Sequence, residues 1–344
     1  MTWLSWRQQR VQSLGLLAAV AAATVLLLVT GGRLQRLATT AASVYDALTP
    51  NERTLWTAGV VVMAAVPALV GIFWGAPLVA RELETGTHRL AWSQGVTRYR
   101  WLAHRFGLSL LVTVVAVGAL SAAVSWWSGP LDGSTSQTQG GLPDRLSPVV
   151  FAMRGIVPVG YAVLALAVGV LAGLVLRRTL PAMTLTLVVV VATQLLVPAW
   201  VRPHLVPATD EVVTVTERPL DSLSLEAPGG PLTLSLATGH RGDWVLVNQT
   251  VDASGRPSAL PSWFTACADH TSAGGGAALP LGPQRAADAD PCLARLTAEG
   301  YRQHLSYVPA DRFWPLQLTE TALLLVVAGL IALAAFGWLR RRPG

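Results

Sequence analysis

Six long apolar runs decide what this chain can become. Residues 11–30, 57–80, 106–127, 155–176, 180–201 and 316–338 are each long enough to cross a hydrocarbon layer of about 30 Å. In lipid, the backbone N–H and C=O groups of a lone segment find no water, so they must pair within the segment. Only a helix does that. Pro67, Pro77, Pro158 and Pro198 lie in or near the runs and are compatible with spanning helices. With 52% of residues hydrophobic and 13% charged, the composition also falls in the integral-membrane class. The sequence therefore predicts an α-helical integral membrane protein with six transmembrane helices.

Arginine placement sets the expected orientation. Arg7 and Arg10, then Arg81, Arg89, Arg98, Arg100 and Arg105, then Arg177 and Arg178, and finally Arg340, Arg341 and Arg342 all fall on one side, opposed by Glu82 and Glu84. The connections on the other side carry Arg33, Arg36, Arg53 and Arg145, balanced by Asp46, Glu52, Asp132 and Asp144. The positive-inside rule then favours both termini in the cytoplasm. On this reading the net charge of +6 is a topology signal rather than a nucleic-acid surface. Basic residues before the first run also describe a signal peptide, but the run is longer than a usual signal core.

Three domains are expected: residues 1–200 with five spans and a cytoplasmic segment at 81–105, an extracytoplasmic domain at 201–314, and a sixth span with a basic tail at 315–344. The middle one is rich in Gly, Pro, Ser and Thr. Strand-like runs at 212–216, 232–237 and 244–247 and a helical run at 291–301 suggest a small α+β or mainly β unit. Both cysteines, Cys267 and Cys292, lie in it, and an oxidising compartment favours a disulfide between them. A zinc site from Cys267, His270, Cys292 and His304 is the alternative, although its spacing matches no standard finger. The domain has no G-x-S-x-G or H-E-x-x-H motif. The sequon Asn248-Gln249-Thr250 is too short a pattern to carry a role.

The chain contains no lysine. A phosphate-binding loop of the G-x-x-x-x-G-K-[ST] type needs one, so no standard nucleotide-hydrolysing site fits here. The expectation is a non-enzymatic chain without its own cofactor or metal. ATP and Mg²⁺, if used, would be bound by a partner subunit.

Between the second and third runs lies RELETGTHRLAWSQGVTRYRWLAHR, from Arg81 to Arg105. Its pattern predicts an extension of span two to Thr85, a break at Gly86, a short helix over 88–94 capped by Thr87, a second break at Gly95 and a new start at Thr97. Leu90, Ala91, Trp92 and Val96 give this elbow an apolar patch suited to a groove on a soluble partner. A plain amphipathic loop lying on the lipid surface is the competing reading.

The string Arg81-Glu82-x-Glu84-x-Gly86-Thr87 resembles the R-E-x-E-x-G-T signature that follows the second span in ABC-2 type transporter permeases. PLVARELETGTHRLAWSQGVTRYRWLA, together with YVPADRFWPLQ before the last span, is similar to an actinobacterial branch of that family. The resemblance implies a permease that pairs with a second permease copy, itself or a relative. It also implies that the pair binds two copies of a separately encoded ATP-binding cassette protein and exports cargo. The coupling residues would be Arg81, Glu82, Glu84, Gly86, Thr87, His88, Arg89 and Trp92, with Glu82 and Glu84 contacting the cassette or neighbouring helices and Gly86 acting as hinge.

Few ionisable residues fall within the spans. Arg154 and Glu320 sit near the outer starts of spans four and six, where an ion pair between them near the outer leaflet is one expectation and separate contact with interfacial water is the other. The spans lack an Asp, Glu or His chain for a proton relay, and their Ala, Val, Leu and Gly content suits a lipophilic or amphipathic compound, peptide or lipid as cargo. Two other readings stay open: a membrane-anchored extracytoplasmic sensor, and a tethered enzyme.

Overall fold

The computed structural model describes residues 2–40, 44, 47–86, 97–132, 144–218, 220–225, 232–238, 242–269, 279–280 and 283–341. The chain divides into two compact units. One comprises Met1–Pro130, Pro148–Leu205 and Trp314–Gly344; the other comprises Leu131–Ser147 and Val206–Phe313.

In the first unit six helices are long and apolar enough to cross a membrane: Leu17–Thr40, Pro50–Thr85, Arg98–Leu131, Val157–Leu176, Thr179–His204 and Ala310–Arg341. These are spans one to six below. Span one extends ten residues beyond its expected end at residue 30. Gly31 does not break it, because that glycine is a packing site. A Cβ there would overlap the Trp126 ring, and the Trp127 indole N–H donates to Thr30 Oγ1 beside it at 3.0 Å.

Span two begins with a capping box, in which Thr49 and Glu52 satisfy each other's backbone amides. Its middle, Gly71–Gly75, is a π-helical turn. The extra residue in such a turn shifts the face that the following residues present. Past it, Ala76–Thr85 continues to Gly86, whose φ of 71° lies in the left-handed region that glycine enters without penalty.

Span four is the central helix, buried along nearly its whole length. Small residues let span two approach it backbone to backbone. A Cβ added at Gly75 would lie 2.8 Å from the Leu166 carbonyl, one at Gly169 would lie 2.6 Å from the Gly71 carbonyl, and one at Gly173 would lie 2.7 Å from the Ala76 carbonyl. Ala76, Ala80 and Ala172 fill the rest of the seam, and Ala182 of span five packs on them. In lipid, where apolar burial drives helix association weakly, such close contact supplies the packing.

The second unit is α+β. Its strands are β1 Thr209–Thr214, β2 Leu220–Leu225, β3 Leu232–Leu236, β4 Trp244–Val251, β5 Leu279–Pro280 and β6 Arg302–Val308. They form two antiparallel sheets ordered β1-β6-β4 and β3-β2-β5. Helices Ser262–Asp269 and Pro283–Ala298 accompany them. Val213, Leu234, Leu236, Phe264, Leu293, Leu296, Leu305 and Tyr307 build the core.

An amide pair, Gln303 buried and Asn248 half-buried, stitches the sheets together. Asn248 accepts from the Leu236 N–H at 3.3 Å and donates to the Leu236 carbonyl at 2.8 Å, while Gln303 donates to the Leu234 carbonyl at 2.8 Å and to Asn248 Oδ1 at 2.7 Å. The sequon asparagine is thus occupied inside the unit. The Tyr307 hydroxyl donates to Glu211 at 2.9 Å; burial first, and then that carboxylate, raises the phenol above its ordinary range. Residues 131–147, expected as a simple connection between spans, belong to this unit: Arg145 donates to the Ala310 carbonyl at 2.8 Å and lies over the Phe313 ring.

Cys267 and Cys292 are bonded, joining the two helices across a sequence separation of 25. The bonded sulfurs leave no thiolate for the zinc arrangement, and His270 lies outside the described residues. Replacing both cysteines by serine should destabilise this unit by about 3 kcal/mol in the chain-entropy model. Urea unfolding of the full-length protein, followed by proteolysis at sites within 206–313, measures it, and an unchanged midpoint would show that the core alone suffices.

Candidate functional site

Two polar constellations lie at opposite ends of the helical unit. The first is at the end carrying the connection between spans two and three. Here the last turn of span two presents Glu82 and Glu84 on different faces, and each has a helix partner. Glu82 forms an ion pair with Arg105 of span three, with both side chains largely buried. Arg105 also donates to the Leu78 carbonyl at 3.3 Å, and its guanidinium lies 5.2 Å from the Trp101 ring centre. Span two is therefore held to span three by charge and by a backbone carbonyl, while the Trp101 ring, one turn away on span three itself, steadies the guanidinium.

Glu84 reaches span five. One carboxylate oxygen accepts from the Thr179 N–H at 3.0 Å and from the Thr179 hydroxyl at 2.7 Å. Arg178, which precedes that helix, offers no side-chain cap. Glu84 supplies the missing acceptor from another helix, and its charge suits the positive end of the helix dipole. Leu83, between the two acids, packs on the cluster of Leu78, Val79, Trp101, Leu102, Val170, Leu174 and Ala335, which joins spans two, three, four and six.

The expected coupling residues therefore divide. Glu82 and Glu84 make helix-to-helix contacts, Gly86 terminates the helix in the left-handed conformation, and Arg81 is exposed. Thr87, His88, Arg89 and Trp92 lie outside the described residues. Sequence reading missed Thr179 as the partner of Glu84 and treated Arg105 as a topology signal. The position of Arg105 at the edge of an apolar run was the available clue.

The second constellation corrects the expected pairing of Glu320. Its partner is Arg202, with Nε donating to Oε2 at 2.7 Å and Nη2 to Oε1 at 2.9 Å. Both side chains are completely buried. The third guanidinium nitrogen donates to the Pro148 carbonyl at 2.8 Å, the Phe151 ring lies 4.4 Å away, and the Tyr161 hydroxyl donates to Glu320 at 3.1 Å. Arg154 is buried too, but it lines a small cavity with Leu27, Trp56, Trp127 and Met153. The physical reason for the correction is that span five does not stop at residue 201. A π turn at Val197–Val201 and a 3₁₀ turn at Arg202–His204 continue it, and this brings Arg202 to span six.

One helical turn before Glu320, Gln317 caps span four. Its Oε1 accepts from the Ile156 and Val157 N–H groups at 3.0 Å each, and its Nε2 donates to the Phe151 carbonyl at 3.1 Å. Gly155, with φ of 68°, makes room for that amide and is held from the other side by Ser121 and Ser125 of span three. Gln317 and Glu320 were not recognised from sequence as one unit, though they stand three residues apart on a helix.

A family model described as ABC-2 membrane transporter related matches residues 12–202, more than half of the chain. The chain belongs to this family. It is a multi-pass membrane protein with a permease role. The matched stretch holds spans one to four and span five as far as Arg202, and contains Glu82, Glu84, Arg105, Thr179 and Arg202; Glu320 lies beyond it. No curated protein and no solved structure matches the chain.

Proposed function

We propose that this protein is the membrane subunit of an ATP-binding cassette exporter, oriented with both termini in the cytoplasm and residues 206–313 outside. Two permease copies, identical or related, form the pathway. A separately encoded cassette protein binds ATP and Mg²⁺ and performs the hydrolysis, and this chain carries no catalytic or cofactor site. The cargo class is a lipophilic or amphipathic compound, peptide or lipid.

The observation that carries this reading is the double anchoring of the end of span two. Glu82 ties it to Arg105 and Glu84 ties it to Thr179 immediately before the connection at residues 87–96. A partner engaging residues 81–94 would thus act on three spans at once, as a coupling element requires. An anchor for an external sensor or enzyme has no need of such bracing.

The test is co-expression with the cassette protein encoded beside the gene, followed by ATPase measurement on the purified complex. The wild-type pair should co-purify with permease-dependent ATPase activity. Glu82→Gln with Glu84→Gln should keep the association and lower that stimulation about tenfold, the size of an ordinary coupling energy. Failure to associate with any cassette protein would return the choice to the anchored sensor or the tethered enzyme.

A further inference from the structure

At the same end of the helical unit as the connection between spans two and three, an open groove of about 480 Å³ separates spans three and six. It is lined by Arg98, Tyr99, Phe336, Leu339 and Arg340. We propose that it holds the phosphate headgroup and upper acyl chain of an anionic membrane phospholipid.

Depth supports this first. Arg98 begins span three, and Arg340 is in the last turn of span six, so both residues fall at the ends of helices long and apolar enough to cross a membrane, the level at which headgroups lie. The groove is chemically divided in the way a lipid is. Phe336 and Leu339 pack on the buried cluster around Trp101 and Leu102 and give it an apolar floor. The exposed Tyr99 ring lies 4.8 Å from Phe336, an aromatic pair of the kind that settles at the headgroup boundary.

Charge selects the headgroup. No carboxylate is among the described residues lining the groove. The two acids at this end are engaged elsewhere, Glu82 with Arg105 and Glu84 with Thr179. Two guanidinium forks match phosphate oxygens, and they repel the ammonium of a zwitterionic lipid. Basic pockets between helices at a membrane surface are the physical setting for such recognition.

The experiment is native mass spectrometry of the full-length protein, micelle-released after equilibration with equal phosphatidylglycerol and phosphatidylcholine. The readout is the ratio of the two lipids retained, which a loss of folded protein does not change. Wild type should favour phosphatidylglycerol about 30-fold, from two arginines at the surface. Arg98→Gln with Arg340→Gln should reduce the ratio to within about threefold of unity, whereas Arg98→Lys with Arg340→Lys should fall between. Arg100→Gln with Arg341→Gln removes the same charge at the same end outside the groove and should leave the ratio at the wild-type value. An equal effect of both glutamine pairs would assign the preference to diffuse surface charge and overturn the proposal. Abolition of the preference by millimolar inorganic phosphate would identify a soluble phosphate site instead. A wild-type ratio near unity would likewise overturn it.

Discussion

Arg202→Ala is expected to destabilise the helical unit by about 3–5 kcal/mol, the cost of leaving one member of a buried ion pair without its partner. The remaining Glu320 has no exposure to water, and its other neighbour, the Tyr161 hydroxyl, supplies a hydrogen bond but no charge. Glu320→Ala should cost a similar amount, because it strands a guanidinium whose remaining contacts are the Pro148 carbonyl and the Phe151 ring. The double replacement Arg202→Met with Glu320→Leu should recover most of the loss, since apolar groups of similar volume avoid desolvating either charge. Thermal unfolding of the purified protein in one detergent, read as a double-mutant cycle, gives the coupling. Single variants within about 1 kcal/mol of wild type would mean that water reaches the pair.

Gly169→Val should be the most damaging single substitution in the seam between spans two and four. A Cβ there meets the backbone of span two, 2.6 Å from the Gly71 carbonyl oxygen and 2.7 Å from the Ala76 nitrogen. Overpacking against movable side chains usually costs about 1–3 kcal/mol. Backbone cannot rotate away, so the expected loss is at the top of that range or above, with span two displaced. Gly59→Ala is the control, since nothing lies within 4 Å of a Cβ at Gly59. It should be neutral or stabilising by about 0.5–1 kcal/mol through helix propensity alone. Thermal unfolding again reads both, and equal behaviour of the two variants would show that the seam is loose.

The contrast between those glycines shows what sequence could reveal. Span number, the stop at Gly86, the start at Thr97 and the paired cysteines were legible, because each depends on local composition, local backbone preference or a count of two. Gly59 and Gly169 look alike in sequence, and only the approach of another helix separates them. The same holds for the polar partners. Glu84 and Thr179 are 95 residues apart, and Arg202 and Glu320 are 118 apart, so no local pattern links them. Arg154 was the nearer candidate by expected depth, and the continuation of span five through a π turn is what displaced it. In the second unit, β6 was missed because Gln303 occupies an inward position beside Leu305 and Tyr307 and breaks the apolar alternation. It is buried nonetheless, since its amide is fully used. Part of the segment expected to couple to a partner, residues 87–96, lies outside the described residues.

The reach of Gln317 and Glu320 also bears on the order in which the molecule is assembled. Span six is the last of the six to leave the ribosome, yet it provides the acceptor for the first amides of span four and the counter-ion for the end of span five, across separations of 118 to 161 residues. Until it arrives, Ile156, Val157 and Arg202 must rely on water, lipid headgroups or a chaperone. Contacts this distant are slow to close. Spans one to five therefore wait in a provisional state while more than a hundred residues of the second unit are synthesised, and the sixth helix acts as the keystone that completes them.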